Sequence, residues 1–148
     1  MEKAEIIIKL LRPCAIAPKK ATEGASGFDI FACFDDEQEY IELGSEPRKV
    51  PTGISIQIPP GVDGQIRPRS GLTLEGIIAP LGTIDSDYRG EIFVTMYTLK
   101  PNTIYRIQEG DRIAQVVFNY LANVDIDITN QELTETNRGS GGFGSTGS

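Results

Sequence analysis

The sequence has 148 residues, of which 39% are hydrophobic and 24% are charged, and these proportions are typical of one globular domain. Its 14 lysines and arginines stand against 21 aspartates and glutamates, so the net charge is −7. This charge argues against a general nucleic-acid binder, because such proteins need a basic face. The longest apolar runs, such as residues 6–8 and 116–118, are too short to cross a membrane. We therefore predict no nucleic-acid partner and no membrane partner.

Short apolar runs follow one another along the chain and predict strands. They lie at residues 5–11, 28–33, 54–58, 91–98, 113–120 and 124–128. Ile54, Ile56 and Ile58 alternate with polar residues, which is typical of a half-buried strand. Turns rich in proline and glycine separate the runs, and only residues 70–75 favour a short helical turn. This spacing predicts an all-β sandwich or a jelly-roll-like barrel.

The last part of the chain differs in composition from the rest. We predict a single β domain over residues 1–129, followed by a polar linker and a Gly-rich carboxy-terminal tail over residues 130–148. The tail reads RGSGGFGSTGS from residue 138 onward, and it buries too little apolar area to offset its chain entropy. A solvated tail is the simpler interpretation. Arg138 and Phe143, alone among so many glycines, instead indicate two contact points on a flexible segment.

The sequence contains no histidine, which narrows the chemistry available to it. Ser–His–Asp catalysis, Cys–His catalysis and histidine-containing zinc sites are all excluded. Cys14 and Cys33 are too few for a four-cysteine zinc site, and they could form one disulfide or remain buried thiols. We favour thiols, because the first residues lack the apolar stretch of a signal peptide and predict a cytoplasmic protein.

Arginines in this acidic chain lie in turns rich in glycine, serine and aspartate. Arg69 and Arg138 are followed directly by Ser–Gly and Gly–Ser–Gly. A guanidinium binds phosphate through paired hydrogen bonds, and glycine lets backbone N–H groups approach the phosphate oxygens. These two arginines are therefore our candidates for phosphate binding. Structural ion pairs are an equal alternative for Arg67, Arg89 and Arg112.

Asp85 and Asp87 stand in a dense polar cluster, IDSDYRG. Without histidine, a carboxylate is the natural base to polarise a water molecule. A triphosphate substrate would also bring Mg²⁺, which prefers phosphate oxygens, water and one or two carboxylates. The alternative is that both aspartates cap a hairpin turn, and the spacing by itself favours that alternative.

Five short motifs, taken together, resemble the trimeric dUTP pyrophosphatase (dUTPase) family. They read ASGFDIFA at 25–32, PRSGL at 68–72, GTIDSDYRGEI at 82–92, GDRIAQ at 110–115 and RGSGGFGSTG at 138–147. We number them first to fifth in this order, which is also the order of the family. The resemblance implies an all-β, jelly-roll-like β-clip fold and a homotrimer with active sites at subunit interfaces. It also implies Mg²⁺-dependent hydrolysis of dUTP to dUMP and pyrophosphate, which limits uracil in DNA and supplies dUMP for dTMP synthesis.

The same resemblance assigns roles to individual residues. Asp85 matches the catalytic aspartate that activates the water attacking the α-phosphorus. Tyr88 matches the tyrosine that packs against deoxyribose and leaves no room for a 2′-hydroxyl. Asp29 matches the aspartate that reaches Mg²⁺ through water. Besides Tyr88, the implied substrate-binding residues are Arg69, Ser70, Gly71, Gly82, Thr83, Ile84, Gln115, Arg138, Phe143, Gly144, Ser145 and Thr146.

Within this set, Arg138 would hold the γ-phosphate and Phe143 would stack on uracil. The backbone near Gly82 would pair with the base. Pro80 has no N–H to donate, so this pairing would fall to Leu81, Gly82 or Ile84.

Two other functions compete with the hydrolase. A dCTP deaminase, or a bifunctional deaminase–dUTPase, shares the fold but needs its own Ser/Arg/Glu constellation around the base, and PRSGL with a complete tail argues against it. A regulatory module would bind nucleotide without turning it over, and the intact Asp85 argues against that role. We expect a cytoplasmic enzyme, or a nuclear one if the source is a eukaryote or its virus.

Overall fold

The computed structural model describes residues 2–144. Within that range the chain forms eleven strands and one short helix. Their bounds are β1 Ile7–Leu10, β2 Phe28–Phe31, β3 Tyr40–Leu43, β4 Arg48–Pro51, β5 Ile54–Gln57, β6 Val62–Arg67, α1 Ser70–Leu74, β7 Ile77–Ile78, β8 Gly82–Ile84, β9 Phe93–Thr98, β10 Tyr105–Gln108 and β11 Arg112–Tyr120.

The all-β prediction is confirmed. Five predicted runs contain β1, β2, β5, β9 and β11, and the predicted helical turn is α1. The prediction of a strand at 124–128 is wrong, because these residues are exposed and have no partner strand within the described chain. Alternation of apolar residues does not make a strand unless a neighbour pairs with its backbone. The prediction also missed β6, whose Asp63 and Gly64 are poor strand formers, and very short strands such as β7.

The largest sheet brings four of the motifs together. Its strand order is β2-β11-β6-β8, and every pair is antiparallel. Gln115 on β11 lies opposite Asp29 on one side and Arg67 on the other. Ile66 on β6 lies opposite Gly82 on β8. The first, third and fourth motifs therefore share one sheet, and the second motif begins where β6 ends.

Three smaller antiparallel sheets complete the fold, with strand orders β4-β9-β7, β1-β5 and β10-β3. Their inward-facing aliphatic side chains meet those of the large sheet in one hydrophobic core. Burial of one such side chain stabilises the fold by about 1.5–3 kcal/mol. The most buried examples are Ile54, Val94, Met96, Ile113 and Val116. No helix in the described part of the chain is long and apolar enough to span a membrane.

Cys14 and Cys33 form a disulfide, with 5.5 Å between their Cα atoms. The preference for free thiols is therefore wrong, and the disulfide alternative holds. The two cysteines lie close together because the segments that carry them both bind the turn at residues 51–53. The backbone N–H of Leu11 donates to the Gly53 carbonyl at 2.7 Å, and that of Cys33 donates to the Pro51 carbonyl at 2.9 Å. Both cysteine-bearing segments are thus held on the same turn.

Candidate active site

The third motif lines a cavity of about 340 Å³ at the end of β8. Gly82, Thr83 and Ile84 of β8, together with Asp85 and Tyr88 of the following turn, form much of its wall. β8 is the last strand of its sheet, so one of its edges pairs with β6 and the other carries no ladder within the described residues. An open strand edge offers N–H and C=O groups to a ligand. The cavity thus combines an open backbone edge with a carboxylate and an aromatic ring.

The carboxylates of Asp85 and Asp87 are exposed. Neither one accepts a hydrogen bond or joins an ion pair within residues 2–144. The hydrogen bonds that a turn-capping role would require are therefore absent from the described chain. Of the two aspartates, Asp85 lies on the wall of the cavity and Asp87 does not. Of the two, only the Asp85 carboxylate therefore belongs to this cavity within the described residues.

Tyr88 is held against its own turn. Its hydroxyl donates to the Glu91 carbonyl at 2.9 Å. The ring lies so close to Gly90 that a Cβ atom at that position would collide with the Tyr88 hydroxyl and come within 2.6 Å of its Cζ. Glycine at position 90 is therefore a requirement of this ring placement. The side chain remains partly exposed toward the cavity.

A second cavity, of about 170 Å³, lies beside α1. Arg69, Arg112 and Tyr105 contribute to its lining, and the Arg69 guanidinium donates to the Arg112 carbonyl at 3.0 Å. Burial, with the nearby charges of Glu75 and Asp111, raises the pKa of Tyr105. No side chain caps α1, so the N–H groups of Ser70 and Gly71 remain available to an anion. This cavity therefore brings together an arginine of the second motif and one of the fourth.

The first and fourth motifs meet next to this second cavity. Arg112 forms an ion pair with the Asp29 carboxylate at 3.4 Å. The Gln115 amide donates to the Pro68 carbonyl at 3.1 Å. A Cβ atom at Gly27 would collide with the Gln115 side chain, so this glycine leaves room for that side chain beside the start of β2.

For Arg67, Arg89 and Arg112, the sequence left phosphate binding and structural ion pairs as equal alternatives. The structure gives these three side chains different partners. Arg112 is ion-paired, and Arg89 donates to two backbone carbonyls of its own turn, those of Ser86 and Tyr88. Arg67 forms no ion pair in the part of the chain that the structure describes.

The described part of the tail, residues 130–144, lies on neither cavity. Arg138 donates to the Gly141 carbonyl at 2.7 Å, and the Gly139 N–H donates to Thr136. Phe143 is fully exposed, and Gly144 follows it. Ser145 and Thr146 lie outside the described residues. Within residues 130–144, a single chain therefore does not bring its tail to the third-motif cavity.

The structure also reveals residues that sequence reasoning missed. Arg12 and Glu91 form an ion pair in which one guanidinium nitrogen lies 2.7 Å from Oε1 and the other 2.8 Å from Oε2. Glu91 lines the third-motif cavity. Glu91 belongs to the third motif, but the resemblance to the family assigns it no role. Arg12 lies outside all five motifs. No local pattern could have paired them, because their partnership depends on packing between distant segments.

The candidate site residues of the first four motifs thus fall into two clusters. Asp85, Tyr88 and β8 form one, and Arg69, Arg112, Asp29 and Gln115 form the other. The two cavities share no lining residue.

The chain is similar to known proteins in family profile, in sequence and in structure. The sequence profile of the dUTPase family matches residues 14–147. A deoxyuridine 5′-triphosphate nucleotidohydrolase of Hydrogenobaculum sp. is 44% identical over 146 residues, covering 97% of this chain and 98% of the relative. The enzyme of the same name from Paramecium bursaria Chlorella virus 1 is 40% identical over 145 residues, covering 97% of this chain and 99% of the relative.

Among solved structures, the dUTPase of Staphylococcus bacteriophage 80alpha with dUPNHPP aligns with a TM-score of 0.83 at 24% identity. The alignment covers 97% of this chain and 99% of the phage protein. A variant of the dUTPase from phage phi11 of S. aureus, described with a structural Mg(II) ion, aligns with a TM-score of 0.75 at 21% identity over 86% of this chain and 97% of that chain. These similarities establish the β-clip fold of the dUTPases. From the profile over residues 14–147 and the close relatives over nearly the whole chain, it follows that this chain belongs to the dUTPase family.

Proposed function

We propose that this chain is a dUTP diphosphatase, which hydrolyses dUTP to dUMP and pyrophosphate in a Mg²⁺-dependent reaction. The observation that carries the proposal is the Asp85 carboxylate, unpartnered within residues 2–144, on the wall of a cavity that β8 and Tyr88 also line. Relatives at 40–44% identity carry the name deoxyuridine 5′-triphosphate nucleotidohydrolase. The reaction limits uracil in DNA and supplies dUMP for dTMP synthesis.

The uracil base is recognised by the backbone of β8. The edge of this strand that does not face β6 offers N–H and C=O groups from the segment Gly82–Ile84 to the base. Uracil and cytosine have nearly the same shape, so a site must distinguish them by hydrogen bonds. Fixed backbone groups do this well, because they cannot rotate to accept the wrong base.

The sugar is recognised by Tyr88. A ring packed against deoxyribose leaves no volume for a 2′-hydroxyl, so a ribonucleotide meets a steric conflict. The bond from the Tyr88 hydroxyl to the Glu91 carbonyl holds the ring in one orientation.

The attacking water is held by Asp85. Its carboxylate accepts a hydrogen bond from the water and takes a proton as oxygen bonds to the α-phosphorus. Pyrophosphate leaves as the bond between the α-phosphorus and its bridging oxygen breaks. Fixing water and phosphorus in line supplies much of the rate enhancement.

The phosphates are held by Arg69, Ser70, Gly71 and Gln115 of the second cluster. The donor set also fits Mg²⁺. Asp29 provides a single carboxylate, already ion-paired with Arg112, which suits an ion held mainly by the triphosphate and reached through water. When bound there, Mg²⁺ offsets negative charge on the phosphates.

A homotrimer accounts for the separation of the two clusters. In one chain the third-motif cavity, with Asp85, is separate from the second cavity, with Arg69, and the described part of the tail lies on neither. Contact between subunits would bring the Asp85 cluster of one chain against the Arg69 cluster of another. The domain over residues 1–129 would supply both clusters. The tail over residues 130–148 would close a site on another subunit with Arg138, Phe143, Gly144, Ser145 and Thr146.

We place the enzyme in the cytoplasm, or in the nucleus if the source is a eukaryote or its virus, where deoxynucleotides are used. Disulfides are uncommon in such reducing compartments. The Cys14–Cys33 pair is the feature of the structure that argues most directly against this location.

The test is release of pyrophosphate from dUTP, dTTP, dCTP and UTP in parallel with Mg²⁺. We expect fast release from dUTP alone. Ammonia release from dCTP would instead support a deaminase, and tight dUTP binding without turnover would support a regulatory module. A sedimentation mass near that of one 16.1 kDa chain would contradict the trimer.

A further inference from the structure

The turn that carries Asp85 and Tyr88 continues from the end of β8 and reaches Glu91 on its other side. Within the described chain, the hydrogen bonds of residues 85–90 stay inside the turn or end at Glu91. The Tyr88 hydroxyl donates to the carbonyl of Glu91, so a shift of Glu91 would also shift the outer end of the ring.

Glu91 is itself fixed by its side chain. Both carboxylate oxygens bind the Arg12 guanidinium, and Oε2 also accepts the Gly53 N–H at 3.2 Å. The side chain is only 15% exposed. The next residue is tied to the start of β5, directly after Gly53, since the Ile92 N–H donates to the Ile54 carbonyl at 2.9 Å. A carboxylate this buried needs its cation, and without it would turn toward water.

Arg12 is fixed in turn. One guanidinium nitrogen also donates to the Cys33 carbonyl at 2.9 Å. The disulfide joins the residue two positions after Arg12 to that same Cys33. The hydrogen bond between the partners lowers the pKa of Glu91 and raises that of Arg12, so the pair stays charged at neutral pH.

We infer that Arg12 and Glu91 are positioning residues for Tyr88, and that this ion pair sets how strictly the site rejects a 2′-hydroxyl. The inference rests on the proposed function, since it assigns the pair to the sugar-recognising ring. Arg12 contacts no reacting atom in this scheme. It acts through Glu91, whose carbonyl holds the Tyr88 hydroxyl.

The experiment measures kcat/KM for dUTP and for UTP in the wild-type protein, Arg12→Met, Glu91→Gln and Arg12→Lys. The quantity of interest is the ratio of the two values, because it reports discrimination at the sugar. We expect Arg12→Met to lower this ratio by about tenfold or more, with Glu91→Gln acting in the same direction. Arg12→Lys should recover part of it, because lysine keeps the charge but not the paired geometry.

Arg106→Met is the matched control. It removes an ion pair to Glu42 whose side chains are 58% and 42% exposed and which does not line the cavity. Its ratio should equal that of the wild-type protein. Thermal midpoints of all variants distinguish a loss of stability from a loss of discrimination between dUTP and UTP. If Arg12→Met does not fold, Arg12→Lys replaces it as the test variant.

The outcomes are distinct. If folded Arg12 and Glu91 variants keep the wild-type ratio, the inference is wrong and the proposed function stands. If the wild-type protein releases no pyrophosphate from dUTP, both the proposed function and this inference are wrong.

Discussion

The backbone N–H of Tyr88 donates to the carbonyl of Asp85 at 3.1 Å, so a single tight turn presents both side chains to the same cavity. In the proposed reaction Asp85 activates the attacking water, and Tyr88 packs against the sugar. Because one turn carries both, a shift that misplaces the ring also misplaces the carboxylate. The conformation of this turn therefore affects both the rate of hydrolysis and the discrimination against a 2′-hydroxyl.

Replacement of Asp85 by asparagine should lower kcat on dUTP by about 10²–10⁴-fold, because the amide cannot take the proton of the attacking water. Nucleotide binding should persist, since the side chain is exposed and unpartnered in residues 2–144. Steady-state kinetics and titration with a non-hydrolysable analogue check both parts. Asp87→Asn is the matched control, and a full kcat in Asp85→Asn would remove Asp85 from its proposed role.

Removal of the tail after Asn137 should lower kcat/KM by about 100-fold or more, because the phosphates lose Arg138 and the base loses Phe143. The fold should be unaffected, since the described tail residues bury no side chain in the core. Comparison of thermal midpoints and kinetics of the full and shortened chains tests this. Phe143→Ala should reproduce part of the loss, and an unchanged kcat/KM in the shortened chain would rule out tail closure.

Replacement of Cys14 by serine should lower the free energy of unfolding by about 3 kcal/mol, the value expected for a disulfide that closes a loop of this length. Urea unfolding of both proteins, with and without a thiol reductant, measures the difference. The reductant should destabilise the wild-type protein to a similar extent and leave Cys14→Ser unaffected. Equal stability of all four samples would mean that the bond does not form in solution.

Acid should weaken the contribution of the Arg12–Glu91 pair to stability. The hydrogen bond from Arg12 holds the pKa of Glu91 below its ordinary value of 4.5. A lowered pKa in the folded state stabilises the protein fully above pH 4.5, and this part is lost as the pH falls through the folded value. The difference in unfolding free energy between wild-type protein and Glu91→Gln should therefore shrink from pH 7 to pH 3. A difference that stays constant would contradict the pairing.

The parts of the site that could be predicted from sequence are those that local chemistry defines. Short motifs keep Asp85, Tyr88 and the glycines beside them within a few residues, so their order along the chain already identifies the family. The separation of Asp85 from Arg69 could not be predicted, because it depends on which faces of the folded chain these residues occupy.

The same division applies to the fold. Alternation of apolar residues and the scarcity of helical stripes determined by themselves that the protein is all-β, since side-chain periodicity follows from backbone geometry. Residues 124–128 carry the same alternation but form no strand, because a strand also needs a neighbour to pair with its backbone. Tertiary structure decided that point, and it also decided the Cys14–Cys33 bond and the Arg12–Glu91 pair. These contacts join distant segments, so their existence depends on strand register and packing, which no local stretch of sequence encodes.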